Sequence, residues 1–228
     1  MLDLLREPRI LFSLALTART CFISLVLFLL AGPAIGFLLA RRPTAPVRLF
    51  GFLVTMPLVF PPVALGYMLL TVLGRTGPAG ELLAQFGISL IFSEGAVAAA
   101  GFIAGLPLVI RPLQAAFSSA QLLDLEEAAR VHGASELHIF LGITLPLIRP
   151  SLAVGLLMGC ARVSGEVGIT MMLGGNISGK TNTLSLEIFN AVSRADFDVA
   201  NVLCLVLSLF AALLFLIMEV ILKKSIKL

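Results

Sequence analysis

Residues 174 to 181 read GGNISGKT, which fits the phosphate-loop pattern G-x-x-x-x-G-K-[ST] at every position. In such a loop the glycines let backbone N–H groups close on phosphate oxygens. The lysine reaches the outer phosphates and the hydroxyl holds magnesium. That chemistry needs a buried strand running into the loop, a helix leaving it and a parallel sheet around both. The flanks, VGITMML and NTLSLEIFNAV, are apolar enough to pass locally, but no strand ending in a magnesium-binding aspartate follows. Arg162 and Glu166 are four residues apart in an apolar run and so share one helix face. Cys21, Cys160 and Cys204 also lie in apolar runs, without ligand-like spacing, and read as small core or lipid-facing residues. His132 and His138 stand alone in a polar stretch. No metal site, disulfide or nucleophile–base pair is expected.

The elements that must position these residues are set by composition. Of the 228 residues 59% are hydrophobic and 13% charged, against roughly 45–50% and about 25% in a soluble domain. This is an all-α membrane protein by composition, one transmembrane domain over residues 1–228. A helix crossing the bilayer needs about 20 mostly apolar residues. Five regions qualify, at roughly 12–40, 49–73, 95–117, 141–173 and 198–222. Five crossings are expected, or six if the overlong fourth region divides. The first run is broken only by Arg19 and is too long for the core of a cleaved signal. Tryptophan is absent and Tyr67 is the one tyrosine, so an aromatic belt must rest on 16 phenylalanines. The net charge of +3, with no basic run, gives no reason to expect a nucleic-acid partner.

With five crossings, Arg41, Arg42, Arg48, Arg111, Arg130, Arg149, Lys223, Lys224 and Lys227 fall on one face. Arg6, Arg9, Arg19, Arg75, Lys180 and Arg194 fall on the other. The cationic excess predicts that the first face is cytoplasmic. The C-terminus and the 118–138 segment then lie inside, and the N-terminus and GGNISGKT outside, away from ATP.

Segment 118–138, SSAQLLDLEEAARVHGASELH, is the one long polar cytoplasmic stretch. Its leucine, alanine and glutamate content predicts a helix, Gly133 a stop, and GASELHIF a second helix. Asp124, Glu126, Glu127 and Glu136 face a single Arg130, so the segment is either a solvated loop or an acidic docking surface. Glu127, Ala128 and Ala129, then Gly133, Ile143, Leu145 and Pro146, resemble in full the E-A-A-x3-G-x9-I-x-L-P signature of ABC importer permeases. MPLVFPPVALGYMLL, GRTGPAG and ARVSGEVGITMMLGGNISGKTNTLSLEIF are similar to molybdate- and tungstate-type oxyanion permeases, a likeness running from about residue 20 to 220.

The resemblance implies a membrane permease subunit that pairs with a second copy of itself and lies among membrane lipid. Two separate ATP-binding cassette subunits would carry ATP and Mg, leaving this chain without a cofactor or catalytic residue. An external binding protein would deliver molybdate, tungstate or another oxyanion such as sulfate or thiosulfate. Glu127, Ala128, Ala129, Gly133, Ile143, Leu145 and Pro146 would couple to the ATPase, with Glu127 capping or ion-pairing at the docking surface. A secondary transporter would need an internal repeat and mid-depth carboxylates, of which only Glu166 is a candidate. A membrane scaffold would leave the prolines and glycines unexplained.

Three further groups are pathway or gate candidates. Pro57, Pro61 and Pro62 break an apolar run, either as a kinked pore-lining helix or as a packing kink. Arg162 and Glu166 either form an ion pair or place Arg162 on the anion's route. At the outer mouth, Gly174, Gly175 and Gly179 would let the chain leave its helix. Asn176, Ser178, Lys180 and Thr181 would offer donors to a tetrahedral dianion, or form a turn against the delivery protein.

Overall fold

The computed structural model describes residues 6–42, 44–87 and 89–226; Lys227, counted above among the cytoplasmic cations, lies outside them. The chain runs through α1 (Pro8–Arg41), α2 (Ala45–Val59), α3 (Pro62–Leu73), α4 (Pro78–Gln85) and α5 (Glu94–Phe117). It continues through α6 (Ala120–Val131), α7 (Glu136–Ile139), a π turn over Phe140–Thr144 and α8 (Leu145–Ser164). α9 (Gly168–Gly174), α10 (Leu184–Ser193) and α11 (Phe197–Ile226) complete it. No strand occurs among the described residues.

Four described helical stretches, rather than the five expected, are long and apolar enough to cross a membrane: Pro8–Arg41, Glu94–Phe117, Glu136–Ser164 and Phe197–Ile217. The difference lies in the 49–73 run, which is two shorter helices. Pro61 and Pro62 have no N–H to donate, and a residue before proline is pushed out of the helical region. Phe60 accordingly sits at φ −77°, ψ 143° and Pro61 at φ −56°, ψ 130°. The 141–173 run also divides, because α8 stops at Ser164 and Val167 leaves helical geometry before α9 begins.

α5 is the central post. It lies against α1 and runs antiparallel to α8, and small residues bring the backbones together. A Cβ at Gly155 would meet the Val109 Cα and carbonyl oxygen at 3.0 Å, and one at Gly105 would meet the Gly159 carbonyl oxygen at 2.9 Å. In lipid, where apolar surface alone gives helices little reason to associate, such close approach supplies the packing energy. Phe28 is fully buried in this seam, stacked on Phe102 at 5.5 Å, and Val109, Ile110, Leu113 and Phe117 continue the core along α5. On another side of α5, Ala96, Ala100 and Ala104 pack with Leu65 of α3 and with Ile169 and Leu173 of α9. Farther out, Ile10, Leu184 and Leu203 join α1, α10 and α11. Thr17 adds a polar tie there, accepting the Leu184 N–H at 2.9 Å.

Candidate functional site

The 24 residues of α5 span about 36 Å, and the residues singled out in the sequence gather near its two ends and beside its middle. At the C-terminal end, Ser119 caps α6 by accepting the Leu122 N–H. The chain turns at Gly133, φ +80°, and Ser135 caps α7. Arg130 spans the turn, donating from Nε to Glu136 Oε1 at 2.7 Å and from Nη2 to Oε2 at 3.2 Å. That bidentate contact holds the Glu136 carboxyl below its ordinary range and raises Arg130. Glu127 is exposed and makes no ion pair among the described residues, and Ala128 and Gly133 are exposed beside it. Ala129, Ile143, Leu145 and Pro146 are half-buried.

The neighbouring Glu126 behaves differently. It is 4% exposed. Its Oε2 pairs with Arg41 Nη2 at 2.8 Å, and its Oε1 accepts from Thr144 Oγ1 at 2.7 Å. Arg130 Nη2 stands 3.8 Å from the same Oε2. Arg41 also lies over the Phe37 ring, 5.8 Å from its centroid. Glu126 was not among the sequence candidates. Spacing alone does not single it out, because Leu122–Glu126 and Leu123–Glu127 are both four apart; only the fold shows that Leu122 and Glu126 form the inward stripe of α6.

Midway along the bundle, the two helix breaks lie against each other. A Cβ at Gly168 would meet Pro62 Cβ at 2.7 Å and the Val63 nitrogen at 2.9 Å. Glu166, 2% exposed, closes the second break: its Oε1 accepts the Ile169 N–H at 2.7 Å, in the first turn of α9. Arg162 Nη1 lies 2.5 Å from Glu166 Oε2 but off hydrogen-bonding direction, so this contact is an ion pair rather than a hydrogen bond. Pro57 is half-buried inside α2, while Pro61 and Pro62 are exposed.

At the N-terminal end of α5, GGNISGKT is flanked by helices α9 and α10 and not by a strand, so it does not have the setting of a phosphate loop. Gly175, φ +77°, ends α9, and the Phe92 ring occupies the space a side chain there would need, 2.5 Å from the ideal Cβ. Two of the four expected donors are already engaged within the protein. Thr181 is fully buried, donating to the Gly174 carbonyl at 2.7 Å and accepting from the Ile177 N–H at 2.9 Å. The Asn176 and Asn190 amides bond each other reciprocally at 2.7 and 3.1 Å. Ser178 and Lys180 remain exposed. Lys180 joins Arg75, Thr71, Thr76, Ser89 and Phe92 around a recess of about 760 Å³ that contains no carboxylate in its lining. Neither Arg75 nor Lys180 has an ion pair among the described residues. Arg75 counted only as a charge in the sequence, because its pairing with Lys180 exists only in three dimensions. Arg19, bonded to Glu94 at 3.0 Å, marks the same end.

The profile of binding-protein-dependent transport system inner membrane components matches residues 32–226. The chain belongs to that family. Among members, the molybdenum transport system permease protein ModB of Azotobacter vinelandii is 34% identical over 190 residues, covering 83% of this chain and 84% of that protein. ModB of Haemophilus influenzae is 39% identical over 187 residues, covering 79% and 80%. The fold resembles a chain of a bacterial alginate ABC transporter, solved with an alginate pentasaccharide-bound periplasmic protein, with a TM-score of 0.74 and 19% identity over 95% of this chain and 79% of that one. As a member of this permease family the chain is a multi-helix membrane component and not a catalytic subunit. Neither the phosphate-loop likeness nor the lone histidines need a catalytic explanation.

Proposed function

We propose that this chain is the permease subunit of an ATP-driven importer for molybdate or tungstate, working as a homodimer. Two ATP-binding subunits dock on the 118–138 elements through Glu127, Ala128, Ala129 and Gly133, with Ile143, Leu145 and Pro146 joining the element to α8. An external binding protein delivers the anion at the Arg75–Lys180 recess. The N-terminus is outside and the C-terminus cytoplasmic.

One observation carries this reading: the complete coupling signature folds as helix, glycine turn, helix at one end of α5, and a cationic recess opens at the other. Two unpaired cations and several hydroxyls suit a tetrahedral dianion. They attract it without enclosing it, as a conduit that must release its ion requires. The facing breaks at Phe60–Pro62 and Gly165–Val167 give the pathway irregular backbone of the kind tolerated at depth where protein or a water-filled cavity satisfies it. Arg162 is held by Glu166, which favours the ion-pair role over a place on the anion's route. Closure of the ATP-bound partners draws the two coupling elements together and shifts the dimer from inward-open to outward-open, driven by contacts that differ between the two states.

Mild-detergent purification tests the class. An ATP-binding subunit should co-purify in equal number, and vesicles reconstituted with the complex and its binding protein should accumulate molybdate only with ATP. Uptake driven by an ion gradient without an ATPase would instead establish a secondary transporter.

A further inference from the structure

We propose that Glu126 is the positioning residue that fastens the coupling element to the spanning helices; this rests on the permease reading above. Three separate elements converge on one buried carboxylate. Arg41 is the last residue of α1, Glu126 lies on α6, and Thr144 closes the π turn at the head of α8. Each carboxylate oxygen has its own partner, at 2.8 and 2.7 Å. A buried charge left without its partners is strongly disfavoured. Displacement of α6 therefore carries the end of α1 and the start of α8 with it.

The π turn contributes to the same joint. Leu145 N–H bonds the Phe140 carbonyl five residues back. Pro146 has no N–H for the Gly142 carbonyl and its ring crowds that oxygen, which favours a widened turn here. Thr144 is buried at the end of that turn with its hydroxyl on Glu126. Phe37, Arg41, Arg130, Glu136, Ile139 and Phe140 complete the wall of a recess of about 250 Å³ around the contact. Adjacent glutamates thus divide two tasks: Glu127 faces outward, free for the ATPase, and Glu126 faces inward, joined to the spans.

The test uses the reconstituted complex of this chain with its ATP-binding subunits and binding protein, reading molybdate uptake and ATP hydrolysis in parallel. Glu126→Gln keeps shape but removes charge. It should lower anions moved per ATP by at least about tenfold while hydrolysis stays within about twofold. Thr144→Val should lower the ratio in the same direction. The double variant should be no worse than Glu126→Gln alone, because both act through one joint. A ratio unchanged in Glu126→Gln would overturn the proposal. So would uptake and hydrolysis falling in proportion, which is what a merely structural role produces, or losses that add in the double variant. A wild-type complex without ATP-driven uptake would overturn the permease reading itself, and the joint with it.

Discussion

Gly133→Asp separates folding from coupling. Gly133 sits at φ +80°, donates its N–H to the Arg130 carbonyl at 2.9 Å, and would place a Cβ with nothing within 4 Å. The substitution therefore meets no steric obstacle, and its direct cost is the left-handed backbone, on the order of 1 kcal/mol. Aspartate is among the residues that tolerate this region best. A change of that size lowers the melting temperature by roughly 2–4 °C in a chain of this length. The functional effect should be much larger, because the new carboxylate joins Glu127 on the exposed surface proposed above to receive the ATPase. Unfavourable charge at an interface costs several kcal/mol. In reconstituted vesicles Gly133→Asp should melt within a few degrees of wild type yet transport little anion per ATP. Gly133→Ala carries similar backbone strain without the charge and should transport nearly normally. Normal uptake with Gly133→Asp, or equal damage from Gly133→Ala, would show that added charge at this turn does not impair coupling.

Other substitutions probe the frame. Gly155→Ala presses a methyl group against Val109 backbone atoms at 3.0 Å and should destabilise by about 1–3 kcal/mol. Gly142→Ala, whose nearest neighbour is His138 Nε2 at 4.0 Å, should be neutral; detergent-solubilised melting curves would distinguish them. Thr181→Val leaves the Gly174 carbonyl and Ile177 N–H without their side-chain partner and should cost about 1–3 kcal/mol, with Thr181→Ser close to wild type in the same assay. The Arg130–Glu136 contact lowers the folded Glu136 pKa, so its small contribution is complete above the ordinary carboxylate value of about 4.3 and fades as pH falls through the lower folded value. Protection of the α7 amides relative to their intrinsic exchange rates should therefore fall only in acid, and Glu136→Gln should remove that dependence.

Much of this architecture was legible because hydropathy and proline act locally. The apolar run ending at Leu73 was visible, but the division into α2 and α3 depended on Pro61 and Pro62 extending Phe60 rather than kinking one continuous helix. Four described helical stretches are therefore of spanning length, and the 49–73 run is instead the pair α2 and α3. The coupling signature was readable by spacing, whereas the identity of the inward glutamate was not, because Glu126 and Glu127 differ only in helix phase and in the distant Arg41 and Thr144. The same limit applies to the 174–181 loop. GGNISGKT displays four polar side chains in sequence, yet Thr181 and Asn176 turn theirs toward Gly174 and Asn190. The cation that joins Lys180 comes from Arg75, more than a hundred residues earlier.

Permease class and substrate are tested together by uptake of molybdate and tungstate at trace concentration under excess sulfate, in source cells with and without this gene. Uptake should disappear with the gene, and sulfate should not compete. Uptake that survives the deletion would contradict the molybdate assignment, and uptake lost with the gene but suppressed by sulfate would transfer the permease to sulfate-type anions.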